Sequence, residues 1–197
     1  MTTLSTGDFR RAAERLGCPL AAIMAVCEVE APRGGFDSEG RPTTLFEGHK
    51  FYKFTGGKWA MSHPTLCFLN WDRQFYGRSR EEEWARLKAA QALDWDAACK
   101  ATSWGRFQIM GFNHNAAGFP DVASFVTAMS ESEGRQLDAF VELIEDWGLA
   151  DELQRGDWKT FARIYNGPRY AENRYDTKLS AAFERLAQAS GAARGLT

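Results

Sequence analysis

Apolar positions recur at helical spacing along most of the chain. Residues 8–16 read as a short helix opening at Thr6–Asp8. Pro19 marks the start of a second helix, because its fixed φ and missing N–H suit a first turn. Residues 20–30 (LAAIMAVCEVE) are apolar nearly all round, the pattern of a buried helix. Pro32 ends it by pushing Ala31 out of the helical region. Residues 34–62 change character: Gly34, Gly35, Gly40, Gly48, Gly56 and Gly57 punctuate Thr43, Thr44, Leu45, Phe46, Phe51, Tyr52 and Phe54. This predicts a short hairpin or small irregular sheet. Helical spacing returns over 81–99 through Trp84, Leu87, Ala90, Leu93 and Ala98. Ser130 and Glu133 form a capping-box pair for a helix with Leu137, Phe140, Val141 and Ile144, closed by Gly148. Asp157 caps a helix through Phe161, Ile164 and Tyr165, and a last helix carries Tyr175, Leu179, Phe183 and Leu186. The tail from Ser190 to Thr197 is small and polar and is expected to fray. The outline is mainly α (α+β), with one small β element after a buried early helix.

Length and charge narrow the function. The 197 residues make one domain, 1–197, at roughly 150 residues per domain. A net charge of -2 excludes a strongly basic nucleic-acid binder and supplies no attraction to anionic membranes. Residues 1–15 have no apolar h-region and carry Asp8, Arg10, Arg11 and Glu14, so no signal peptide is expected. Nor does any apolar run approach the ~18 residues of a membrane span. Cys18, Cys27, Cys67 and Cys99 match no zinc spacing and read as buried free thiols. His49, His63 and His114 form no close pair, so neither metal nor cofactor is expected. At 13%, aromatic residues are abundant enough to serve both a core and a stacking surface for flat ligands.

The candidate chemistry sits at the end of the apolar helix, in Glu28 and Glu30. Glu30 lies on the stripe of Ile23, Val26 and Cys27, and Glu28 on that of Ala21, Met24 and Ala25. The two are about 200° apart around the axis, so only one can face a given cleft. A carboxyl ending an apolar stripe has its charged form disfavoured, which raises its pKa and suits a general acid. Glycoside hydrolysis commonly needs a second carboxylate across the sugar. The glycine-rich segment offers Asp37, Glu39 and Glu47. Glu47, among Leu45, Phe46 and His49, is the strongest of these; Asp37 and Glu39 read as solvated turn residues.

Three segments carry a family resemblance. Val29-Glu30, the turn Gly34-Gly35-Phe36, Gly40-Arg41-Pro42 and the run Leu45-Phe46-Glu47-Gly48-His49 resemble the phage N-acetylmuramidase endolysins. The run from Ala101 to Gly111 (ATSWGRFQIMG) is similar to the family's second signature, and echoes lytic transglycosylases and goose-type lysozymes. Tyr165-Asn166-Gly167-Pro168, followed by Tyr170 and Tyr175, is similar to the Tyr-Asn-Gly segment lining the glycan groove of that superfamily. Ala31-Pro32-Arg33 departs from the family, which usually has Ser and Gly after the Glu.

The resemblance implies a lysozyme-like fold and cleavage of peptidoglycan between N-acetylmuramic acid and N-acetylglucosamine, with Glu30 as the acid. It makes the glycan strand the partner. It also implies that Tyr165, Asn166 and Tyr175 line the glycan groove; beside it, the residues themselves suggest Ser103 and Gln108 as hydrogen-bonders to acetamido groups or a water, Tyr165 as a contact to the acid or a sugar, and Asn166 as a C-cap. Trp59 and Trp104 join Tyr175 as candidate sugar platforms. A monomer made in a host cytoplasm, reaching the periplasmic wall by assisted release, fits these features. Two alternatives remain open at this point: a lytic transglycosylase using a single Glu, and a non-catalytic wall-binding module.

Overall fold

In the computed structural model, which describes residues 3–32 and 34–194, most helices start on a side-chain cap. Ser5 accepts the Asp8 N–H to open α1 (Thr6–Leu16), with the Asp8 carboxylate returning to the Ser5 N–H as a capping box. Asp157 likewise opens α9 (Trp158–Tyr165). Between them run α2 (Leu20–Glu30), β1 (Thr44–Phe46), α3 (Gly48–Thr55), α4 (Arg80–Leu93), α5 (Trp95–Lys100), β2 (Thr102–Trp104), β3 (Ile109–Met110), α6 (Val122–Glu131), α7 (Glu133–Asp146) and α8 (Ala150–Arg155). The last helix is α10 (Tyr175–Arg194). The predicted frayed tail is therefore helical up to Arg194, and residues 195–197 lie outside the described part, as does Arg33.

The apolar helix is central, as its pattern requires. Ala22, Ile23, Ala25 and Val26 of α2 are fully buried, and α2 packs against α1, α8 and α10. α10 docks through Leu179 and Ala182, with Phe183 against Trp158 of α9 at 5.3 Å between ring centroids. All four cysteines are free and buried.

Three expectations need correction. The glycine-rich segment makes only β1 and an isolated bridge between Phe36 and Pro42. Phe51, Tyr52 and Phe54 belong instead to α3, closed by Gly56 in the left-handed region. The partner of β1 is distant in sequence: β2 pairs with it antiparallel, Leu45 opposite Ser103, and β3 completes the sheet. Strand preference of aromatic residues yields here to burial of Phe51 in the core. The helix predicted over 81–99 breaks at Asp94, whose extended backbone ends α4 while its carboxylate caps α5. Ser132, rather than Ser130, caps α7; the Ser130 hydroxyl donates to the Val126 carbonyl inside α6.

That last correction frees Glu133 for another task. It is buried, and its carboxylate accepts the N–H groups of Gly35 (2.7 Å) and Leu4 (3.1 Å). Gln136, one turn on, accepts the Arg106 N–H at 2.7 Å and donates to the Met129 carbonyl at 2.8 Å. Arg106 Nε donates to Cys27 Sγ at 2.7 Å. These groups pin the turn after α2 to α7, satisfying one another in a dry interior. The fit demands glycine at position 35, where a Cβ would stand 2.2 Å from Gln136 Oε1.

Candidate active site

The end of α2 delivers Glu30, half-buried, to the C-terminal end of α9. Below it lies the apolar stripe of Ile23, Val26 and Cys27. Desolvation pushes its carboxyl up to about 7 from an ordinary 4.5, opposed by the Asn166 amide and by the charge of Lys178. Asn166 Nδ2 donates to Glu30 Oε1 at 2.7 Å. Asn166 ends α9, and its Oδ1 is buried with no protein partner. Glu28, pointing away, is exposed and paired with Arg185 of α10. The angular separation of the two acids thus places one against Asn166 and the other in a surface ion pair.

Glu47 begins α3, where β1 ends. Its backbone N–H donates to the Ala101 carbonyl at 2.9 Å, so the sheet fixes its position. The Tyr76 hydroxyl donates to Glu47 Oε2. His49 Nδ1 lies 3.2 Å from the same oxygen without hydrogen-bond alignment. The other acids are occupied elsewhere. Asp37 accepts the N–H groups of Glu39 and Arg41 and the Arg41 guanidinium, and Glu39 is an exposed partner of Arg41. Both hold the turn.

Tyr175 is the first residue of α10. Its phenol is pushed up to about 12, first by burial and then by the negative charges of Glu30 and Glu47. It therefore lies within Coulombic reach of both. Tyr165 also senses Glu30. Its hydroxyl is taken by the Phe107 carbonyl at 2.6 Å, and its ring stacks on Phe161 at 5.2 Å. Ser103 Oγ donates to Gln108 Oε1 at 2.9 Å, while Gln108 Nε2 donates to the Gly105 carbonyl at 2.8 Å and the Thr43 carbonyl at 3.3 Å. This pair closes the β2–β3 turn, with Gln108 in the left-handed region (φ 49°), and ties it to the strand that leads into Glu47. Trp104 is no platform: it is 1% exposed and its N–H donates to the Cys99 carbonyl. Trp59 is half-buried, with Lys58 over its ring.

The Arg169 guanidinium lies over the Trp71 ring, 4.9 Å from its centroid, and joins the loop after α9 to the segment that carries Tyr76. Among the described residues no group of His, Cys, Asp and Glu is placed to hold a metal, and no helix is long and apolar enough to cross a membrane. Sequence reasoning missed Tyr76, Trp71, Glu133 and Arg106. The aromatic pair had one signal, the run Trp71 to Tyr76 in a polar loop.

The profile of the N-acetylmuramidase family matches residues 19–187, from the start of α2 into α10. The chain belongs to the N-acetylmuramidase family. It is a glycoside hydrolase acting on peptidoglycan, which removes the reading as a non-catalytic wall-binding module. Among solved structures it is similar to the crystal structure of the Burkholderia AP3 phage endolysin, at 43% identity and a TM-score of 0.81, over 94% of this chain and 72% of that one. No curated protein matches. The muramidase profile spans all three sequence signatures, with Glu30, Glu47, Ser103, Gln108, Tyr165, Asn166 and Tyr175 inside it.

Proposed function

We propose that Glu30 is the general acid that protonates the glycosidic oxygen between N-acetylmuramic acid and N-acetylglucosamine. The observation that carries this is the carboxyl at the end of an apolar stripe, hydrogen-bonded by Asn166 and pushed up to about 7. Such a group holds a proton at neutral pH and has a driving force to release it. Glu47, at the start of α3 and held by the Tyr76 hydroxyl, is the base that takes a proton from the attacking water. Asn166 orients the acid through its amide, and the half-buried Tyr175 ring carries a sugar face. Ser103 and Gln108 meet the glycan only at their edges and chiefly hold the groove floor in register; Tyr165 backs the acid.

The likeness to a phage endolysin supports a role in releasing phage from the host. In this reading one domain, residues 1–197, works as a monomer. It is made in the host cytoplasm and reaches the periplasmic wall by assisted release. Digestion of peptidoglycan by wild type and Glu30→Gln, with the new ends weighed by mass spectrometry, tests the chemistry. The proposal expects reducing N-acetylmuramic acid from wild type and none from the variant. Anhydro ends, lighter by one water, would assign a transglycosylase and remove the role of Glu47. Full activity in Glu30→Gln would remove Glu30.

A further inference from the structure

The segment between α3 and α4 carries a tyrosine whose hydroxyl meets no backbone group. Tyr76 follows a short 3₁₀ turn, Arg73–Phe75, capped by the Asp72 side chain. Its ring is fixed on both sides. The Trp71 ring lies 6.1 Å away, and the Arg86 guanidinium of α4 sits 5.4 Å from the Tyr76 centroid and 5.3 Å from that of Phe46. Arg86 is itself held by Glu83 at 2.9 Å. Glu83 also accepts the N–H groups of Gly77 and Phe46, tying the backbone beside Tyr76 to the strand beside Glu47. With the ring held by these neighbours, the Tyr76 hydroxyl donates to Glu47 Oε2. The phenol's ionisation is driven upward by burial, by the charge of Glu47 and by that hydrogen bond. Tyr76 therefore remains a donor, never an acceptor, toward the carboxylate.

We propose that Tyr76 is a positioning residue for the muramidase reaction: by donating to Oε2 it fixes the Glu47 carboxylate and leaves Oε1 as the oxygen that faces the attacking water. The inference rests on Glu47 being the base. A carboxylate on a side chain with several rotatable bonds swings unless one oxygen is anchored, and misplacing a reacting group by an ångström costs about 10²-fold. Trp71 extends the arrangement. Arg169, three residues beyond Asn166, covers its ring, so the Tyr76 clamp is in contact with the loop after α9.

The test is a double-mutant cycle of Tyr76→Phe and Glu47→Gln, reading kcat and KM separately on soluble glycan fragments, with melting temperatures beside them. Phenylalanine keeps the ring and its stacking and removes only the donor. The expected result is a fall in kcat of about tenfold to a hundredfold in Tyr76→Phe, with KM within about twofold. The same substitution on the Glu47→Gln background should change kcat less than about twofold, because the two act through one carboxylate. An equal loss on both backgrounds, a rise in KM at constant kcat, or full retention of kcat would each overturn the role of Tyr76. Full activity of Glu47→Gln alone would instead overturn the reading of Glu47 as base, a different failure.

Discussion

Glu30, at the end of α2, and Glu47, at the start of α3, meet different surroundings. On the α2 side Glu30 ends an apolar stripe and has one hydrogen-bond donor, the Asn166 amide. On the sheet side Glu47 is met by the Tyr76 hydroxyl, with His49 close by. Each carboxyl has one aligned donor; what sets Glu30 apart is the apolar stripe beneath it, where loss of water favours the protonated acid. In the proposed reading the same kind of side chain then serves as two reagents. Glu28, on the same last turn of α2 as Glu30, gives a third environment, an exposed pair with Arg185 that takes no part in the groove.

This contrast is broken most directly at the acid. Glu30→Gln should lower kcat by at least the ~10²–10⁴-fold that positioned acid catalysis supplies, with binding of glycan fragments retained by calorimetry. Glu47→Gln should cost about 10²-fold in kcat, the smaller loss of the two, since water still reaches the site.

Stability should show the same contrast with the sign reversed. Because the folded carboxyl of Glu30 is raised to about 7 from 4.5, the fold prefers it protonated. Stability is then lost as pH rises through that window, and the full penalty is present above it. Glu30→Gln should therefore melt higher than wild type at pH 8 and about equal to it at pH 4. The difference is at most about 3 kcal/mol, measured by paired thermal or denaturant unfolding.

Asn166→Ala removes the donor that favours the charged form. The alkaline limb of kcat/KM should move upward, and kcat should fall about tenfold for want of orientation; a pH series on one substrate reads both. Glu28→Gln should leave kcat within about twofold and stability within about 1 kcal/mol, the worth of an exposed ion pair.

Much of this was legible in the chain, and what was not has a physical cause. α2 and its acid could be read because an apolar helix and its last turn are local facts. The opposite facing of Glu28 and Glu30 followed from helical geometry alone. The sheet could not be read correctly, because Leu45 finds its partner at Ser103, far along the chain, and β1 is too short to show a period. Glu133 was mistaken for a cap because its neighbours are consistent with one; only the fold brings Gly35 and Leu4 to its carboxylate. The polar pair Ser103 and Gln108 stood out in an aromatic run, but its bonds to Gly105 and Thr43 require the turn to exist first. Tyr76 stood out only as an aromatic in a polar loop, since nothing in its own segment announces Glu47.

The central claim is that Glu30 carries its proton at neutral pH. The direct measurement is the carboxyl carbon chemical shift of Glu30 in protein labelled at glutamate side chains, assigned by its loss in Glu30→Gln and followed from pH 3 to 9. A midpoint near 7, coinciding with the alkaline limb of kcat/KM, is the predicted result. A midpoint near the ordinary 4.5 would contradict the account, because the carboxyl would then hold almost no proton where the enzyme works.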